Sequence, residues 1–239
     1  MILAKMYLNA EVYIGAKKYT ECMAKCATVI SSGYTLNANY LNNFKADNNT
    51  SSEIIFALQS DGKVTQNYGA TTVIINGQVG SAESNGGDFG VGGWGGALRL
   101  RKQFVQKFDG SDFNSDVRKT IISTNGQGYV LAKWSNKTTA GVAGSSSTFV
   151  DTDFPVFRLA DAYLMYAEAQ MRKDGAVNGT SLANANATSL GYINALRTRA
   201  KGVSVATSVV TLDFILDERA RELHWEALRR QDLIRFGKY

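Results

Sequence analysis

Sixteen of the 23 glycines fall between Gly62 and Gly144, and this crowding decides where helices can stand. A glycine inside a helix costs about 1 kcal/mol relative to alanine, so a stretch this rich in glycine is built from turns and loops. On both sides of it, apolar residues recur with the 3.6-residue period of amphipathic helices. The expected fold class is therefore mainly α, a helical scaffold interrupted by a large loop-rich insertion. Its segments are 1–60, a helical hairpin and short extended piece; 61–154, the insertion; and 155–239, the C-terminal helices. All three are expected to form one structural domain.

The first segment places Leu3, Tyr7, Leu8 and Val12 on one face, breaks at "IGAKKY", and resumes with Cys22, Cys26, Val29 and Ile30. This spacing predicts two antiparallel helices joined tightly at Gly15, a hairpin of the tetratricopeptide type. Gly33 follows as a C-terminal cap, and "SEIIFAL" reads as a short buried strand or extended segment. The insertion offers "TTVII" as a β-like run and "ALRLRKQFVQKF" as its one helix. After Pro155 three helices are expected: "LADAYLMYAEAQ", "ANATSLGYINALRTRA" and one long helix over "TLDFILDERARELHWEALRRQDLIRFGK". An internal echo, Leu3-Ala4-x-x-Tyr7-Leu8 against Leu159-Ala160-x-x-Tyr163-Leu164, puts small residues where neighbouring helices of a repeat must approach closely.

Composition narrows the function classes. With 44% hydrophobic and 20% charged residues the chain reads as ordinary globular protein, and no apolar run nears the roughly eighteen residues of a membrane span. The start lacks a signal peptide's basic region and cleavage site. Because the apolar period is already running at Ile2, the chain is expected to be a piece of a longer one. The net charge of +5 is a mild basic excess, and most of the C-terminal arginines are interleaved with acidic residues at helical spacing, so nucleic acid is not an expected partner. Cys22 and Cys26 have no further ligand nearby for a metal, and two packed free thiols are expected.

Gly90, Gly92 and Gly95 satisfy G-x-G-x-x-G, but a dinucleotide site needs a strand feeding the turn, and Trp94 would crowd the backbone approach those glycines permit. Asp112 sits near the offset of a ribose-binding acid, which alone carries little. His224, the one histidine, is read on a helix, where Glu222 and Glu226 lie off its face; a structural role is expected. Asp109, Asp112 and Asp116 read as a polar turn, since a calcium loop lacks its glycine and closing glutamate here. Glu218, Arg219, Glu222, Glu226, Arg229, Asp232 and Arg235 form a charged ladder explained by ion pairs. No catalytic residue, metal or cofactor is expected.

Tyr7, Tyr163, Tyr166, Phe214 and Trp225 lie at helical spacing and are read as core; Trp134 is read as structural. Tyr68 and Trp94 lie instead in glycine-rich loops with few apolar neighbours. Exposed rings of this kind suit carbohydrate, whose C–H faces stack on aromatic planes. Asn67, Asn85 and Asp88 are the candidate partners for hydroxyls. The alternative is that Trp94 folds back onto the helices.

The motifs "DFPVFRLADAYLMYAEAQMR", "INALRTRA" and "ILDERARELHWEALRRQDLIRFGK", preceded in order by "LAKMYLNAEVYIG", "VISSGYTL", "SSEIIFAL" and "QNYGATT…GGWGG", resemble the SusD/RagB family of outer-membrane glycan-binding lipoproteins. The resemblance spans nearly the whole chain. It implies a tetratricopeptide-like scaffold, and a surface protein that captures glycan without turnover and delivers it to a TonB-dependent transporter of the SusC type. It also implies rings at "GGWGG" and "YGATT" lining the glycan site. The family's lipidated N-terminal cysteine and its C-terminal tail are not in this sequence, so the outer-membrane anchor is expected outside it. The competing reading is a helical-repeat scaffold that binds protein without a ligand of its own.

Overall fold

A computed structural model describes residues 1–82, 84–124, 126, 128–180 and 185–239. In chain order its helices are α1 Ile2–Leu8, α2 Ala10–Ile14, α3 Tyr19–Ile30, α4 Ala70–Asn76 and α5 Lys102–Val105. They continue with α6 Leu159–Lys173, α7 Ala187–Arg199, α8 Leu212–Leu223 and α9 Arg229–Arg235. Four strands are described: β1 Ile54–Leu58, β2 Ile121–Thr124, β3 Gly128–Leu131 and β4 Phe154–Arg158. They form two two-stranded sheets, β1 with β4 and β2 with β3. The chain is mainly α on a tetratricopeptide-like scaffold, as its periodicity requires. It divides into two compact units: unit 1, residues 1–36, 114–116 and 157–239, and unit 2, residues 37–113 and 117–156.

Helix α6 is the centre of unit 1. Its Ala160, Leu164, Ala167 and Met171 join Ile193, Leu196, Ile215 and Leu216 of α7 and α8 in one apolar cluster. Its Met165 and Ala169 join Ala4, Leu8, Cys22 and Cys26 of α1 and α3 in a second. Both halves of the sequence echo therefore bury their alanines, Ala4 and Ala160, at helix–helix contacts. Cys22 and Cys26 are free, buried thiols, and the hydrogen bond to Cys26 together with burial pushes the Cys22 thiol far up. Among the described residues no helix is long and apolar enough to cross a membrane.

The first hairpin has one more break than its spacing predicts. Asn9 separates α1 from α2; its amide donates to the Lys5 carbonyl at 2.8 Å and accepts from Arg235 Nη1 at 3.0 Å. A side chain that satisfies both a helix end and a buried arginine is worth the lost turn. Gly15 then closes α2 at φ 67°, a left-handed cap open to glycine at little cost.

The expected long C-terminal helix is two helices. It ends at Leu223; His224 is extended (ψ 140°), and Trp225 and Ala227 take left-handed φ of 57° and 61°. Such angles cost non-glycine residues on the order of 1–3 kcal/mol each. Buried charge offsets the strain. Glu226, inside the break, takes Arg158 Nε at 2.7 Å and Nη2 at 2.8 Å, while Glu222 Oε1 takes Nη1 at 3.2 Å. The turn also lets α9 send Asp232 back to Arg219 at 2.9 Å and Arg235 to Glu168 at 2.7 Å. His224 and Trp225 therefore lie outside a helix, and the buried imidazole Nδ1 pairs with the Arg221 carbonyl at 2.8 Å.

The charged ladder is real, but it runs mainly between elements. Arg197 meets Glu218 at 3.0 Å and Arg219 meets Asp161 at 3.0 Å, all four side chains nearly fully buried. Arg229 stands apart from these pairs, donating to the Leu216 carbonyl at 2.9 Å. Burial pushes the Glu168 carboxyl up, but Arg235 and Arg172 overcome it and hold it at about 2. Asp161 is likewise held well below the carboxylate range, Lys5 and Arg219 outweighing burial.

Both carboxylates thus bind protons more weakly in the folded chain than in the unfolded one. Their stabilisation is present above the unfolded values of 4.5 for Glu168 and 3.8 for Asp161, and is lost as pH falls towards 2. The midpoint of thermal unfolding should hold roughly constant from pH 7 to 5 and fall steeply between pH 4.5 and 2.5. A midpoint unchanged across that lower window would contradict the assigned pairs.

Unit 2 departs from expectation in three elements. "TTVII" is not β-like but lies within α4: Thr71, Thr72, Ile75 and Asn76 are buried at i, i+1, i+4 and i+5, a helical period. The helix expected over 97–108 shrinks to α5 followed by a 3-10 turn, Gln106–Phe108. β1 is not buried, since Phe56 and Leu58 are more than half exposed. Trp134 is structural as expected, fully buried with its ring stacked on Phe154 and edge-on to Phe44.

Candidate functional site

The glycine-rich turn around Trp94 is held by α4. Asn76, at the end of that helix, donates from Nδ2 to the carbonyls of Thr72 and Thr148, at 3.1 and 3.0 Å. Its Oδ1 accepts the Gly93 N–H at 3.2 Å, and its backbone carbonyl accepts the Trp94 N–H at 2.9 Å. One buried asparagine therefore fixes the turn to both α4 and the 146–149 loop. Nothing in the sequence marks it out from the other asparagines of the insertion.

The glycines have a packing reason beyond freedom of rotation. Gly93 sits at φ 81°, and a Cβ there would lie 2.6 Å from the Val79 carbonyl oxygen and 2.7 Å from the Gly80 nitrogen. Two stretches of backbone pass too close for any side chain between them. Their contact leaves the indole outward: Trp94 is 40% exposed although its backbone is pinned. Trp94 is thus not folded fully into the loop, and the motif makes no strand-to-helix phosphate turn.

Tyr68, 66% exposed, stands beside it with ring centroids 6.1 Å apart and planes tilted by 45°. Phe149, which the sequence reading passes over, supports Tyr68 edge-on at 5.0 Å. The loops carrying these rings are tied by Asp151. Its Oδ1 accepts from Gly62 N–H and Ser145 Oγ, both at 2.7 Å, and its Oδ2 from Ser145 N–H at 2.6 Å. Burial pushes the Asp151 carboxyl up, but these donors more than compensate and hold it down.

The three polar candidates are placed differently. Asn67 and Asn85 are exposed and spend their amide oxygens on their own turns, accepting from Gly69 and Gly87 N–H at 2.8 and 2.9 Å. Asp88 is exposed on the 3-10 turn Gly86–Phe89. The structure brings Trp94 and Tyr68 together, with Asn67 next to Tyr68 in the chain. Two tilted, water-facing rings can each cover one apolar face of a ring-shaped ligand, with polar groups at the margin. Among the described residues no group of three or more His, Cys, Asp or Glu is placed to hold a metal ion.

Comparison with known proteins gives a consistent result. The chain is 30% identical to the starch-binding protein SusD of Bacteroides thetaiotaomicron over 297 aligned residues, covering 100% of this chain and 51% of that protein. It spans about half the length of the curated relatives it matches. Among solved structures it resembles a surface glycan-binding protein A from Bacteroides thetaiotaomicron in complex with laminarihexaose. That match has TM-score 0.69 and 24% identity, over 98% of this chain and 52% of that one. A structure with xylogluco-oligosaccharide matches with TM-score 0.74 and 23% identity, over 100% of this chain and 50% of that one. At these identities the structures speak for the fold. The model described as SusD family matches residues 114–239, more than half of the chain. On the sequence motifs, the fold and this match together, the chain belongs to the SusD family.

Proposed function

We propose that this chain binds glycan at the cell surface and releases it unchanged, acting as the capture component for a SusC-type TonB-dependent transporter of the outer membrane. The observation that carries the reading is the exposed pair Trp94 and Tyr68, held on pinned loops in a protein of this family. Stacking of sugar C–H faces on the two rings supplies affinity. Asn67, Asn85 and Asp88 are the hydroxyl partners at the margin, with Asn67 limited to the amide hydrogen left over by its bonds to Gly69 N–H and the Thr65 carbonyl. The names of its relatives support the ligand class, since one is a starch-binding protein and two solved neighbours carry oligosaccharides.

A contact with a transporter draws support from a row of exposed apolar residues on α1 and α2, Ile2, Leu3, Met6, Tyr13 and Ile14. Affinity electrophoresis through gels containing soluble polysaccharides tests the central reading. Retardation by at least one neutral polysaccharide, with no reducing ends released on long incubation, is the expected result. Released reducing ends would make the protein a hydrolase. Unretarded migration through starch, β-glucan and xyloglucan gels, with a confirmed protein partner, would favour the interaction scaffold.

A further inference from the structure

Unit 1 contains an alternating row of charges, Lys5, Asp161, Arg219, Asp232, Arg235, Glu168 and Arg172, its five inner members buried and its two ends partly so. Successive members are 2.7, 3.0, 2.9, 2.8, 2.7 and 2.8 Å apart. Each carboxylate is shared by two cations, and the row begins and ends on a cation: four positive groups stand against three negative ones. A buried row of this kind is stable only where its charge is matched, so its ends are where an anion is favoured.

The Arg172 end opens on a cleft. The side chain is 7% exposed, its guanidinium lies 4.6 Å from the centroid of the Phe236 ring, and among the described residues it donates only through Nε, to Glu168. Its Nη2 is buried without a hydrogen-bond partner. The cleft it lines has a volume of 280 Å³ and is bordered by Val12, Lys17, Tyr19, Val177 and Asn178. Asn178 Oδ1 is a second buried atom without a partner, while its Nδ2 makes a long contact of 3.5 Å with the Arg235 carbonyl. Glu11, the one carboxylate among the described residues of the wall, is engaged by the Tyr19 hydroxyl and lies 3.9 Å from Lys17 Nζ. An arginine Nη2 lacking an acceptor and an amide oxygen lacking a donor, both on residues that line one small cleft, define complementary chemistry.

We propose that this cleft binds a small carboxylate that also carries a hydroxyl or amine, such as a sugar acid, hydroxy acid or amino acid. The carboxylate meets the Arg172 Nη edge and completes the alternation as a fourth negative member. The neighbouring hydroxyl or amine donates to Asn178 Oδ1, Val12 and Val177 cover the ligand's carbon face, and Lys17 adds attraction at the rim. The site lies wholly within unit 1 and is independent of the aromatic pair on unit 2.

Titration of the full chain with glucuronate, acetate and glucose, followed by calorimetry and by NMR of the arginine Nε–H signals, tests it. Glucuronate should saturate with a millimolar dissociation constant and shift the Arg172 signal. Acetate, lacking the donor, should bind about tenfold more weakly, and glucose should leave the signal unmoved. Arg172→Gln should abolish glucuronate binding. Because that change also disturbs the buried row, Asn178→Leu is the second variant: it should bring glucuronate down to the level of acetate without altering the response to acetate. Equal shifts with glucose and glucuronate, no saturation up to tens of millimolar, or glucuronate affinity unchanged in Asn178→Leu would overturn the proposal.

Discussion

Glu168→Ala should lower stability by about 3–5 kcal/mol. Glu168 is fully buried and accepts from Arg235 through both oxygens, at 2.7 and 2.8 Å, and from Arg172 Nε at 2.8 Å. Removing it leaves two guanidinium groups buried beside each other with one shared partner gone, in a medium where unpaired charge is costly. For a chain of this length that cost corresponds to a fall of roughly 6–20 °C in the unfolding midpoint. Glu168→Gln keeps an acceptor and should cost less. An exposed pair supplies the contrast: Lys173 and Asp174 lie 3.3 Å apart with both side chains more than 40% exposed, and Lys173→Ala should change stability by no more than about 1 kcal/mol. Denaturant unfolding of the three variants measures all of this. A loss below about 1 kcal/mol for Glu168→Ala would mean that the row contributes little to holding unit 1 together.

The helices that flank the insertion were legible because each buries one stripe, and a stripe of the right period is visible without any knowledge of its partner. The ladder over 218–235 was legible in its residues, since arginine and aspartate at helical spacing need partners. Its partners were not: Asp161, Glu168 and Arg158 lie some sixty residues upstream, and no local rule connects them. The break at His224 to Leu228 was hidden for a related reason. Trp225 and Ala227 carry no turn chemistry of their own, and only the demand of Arg158 for Glu226 explains their left-handed backbone.

The binding loops divide in the same way. An exposed tryptophan among glycines is a visible signal, and Tyr68 in "QNYGA" a weaker one. The residues of α4 read as β-like because Thr, Val and Ile favour strands by propensity, whereas burial on a helical period decides the outcome. A strand there hides Asn76 as the residue that pins Trp94, and no local signal points to Phe149 as the ring behind Tyr68. The resemblance carried by the long motifs reached further than any of these local signals, because it draws on many contacts at once.

The pair of rings is the centre of the functional account. Covering one face of a sugar ring on an indole contributes roughly 1–3 kcal/mol, which corresponds to about tenfold or more in affinity. Trp94→Ala should therefore weaken binding of a retained polysaccharide about tenfold. The Tyr68→Ala, Trp94→Ala double variant should weaken it about a hundredfold, if each ring covers its own part of the ligand. Neither change removes the bonds from the Gly93 and Trp94 N–H groups to Asn76 Oδ1 and the Asn76 carbonyl, so helical content and unfolding midpoint should stay close to the parent's. The deciding measurement is the dissociation constant of parent and double variant for one polysaccharide that the parent retains, by isothermal titration on folded protein. A hundredfold rise at unchanged fold is what a glycan site on these two rings predicts; an unchanged dissociation constant would place the site elsewhere on the molecule and contradict it.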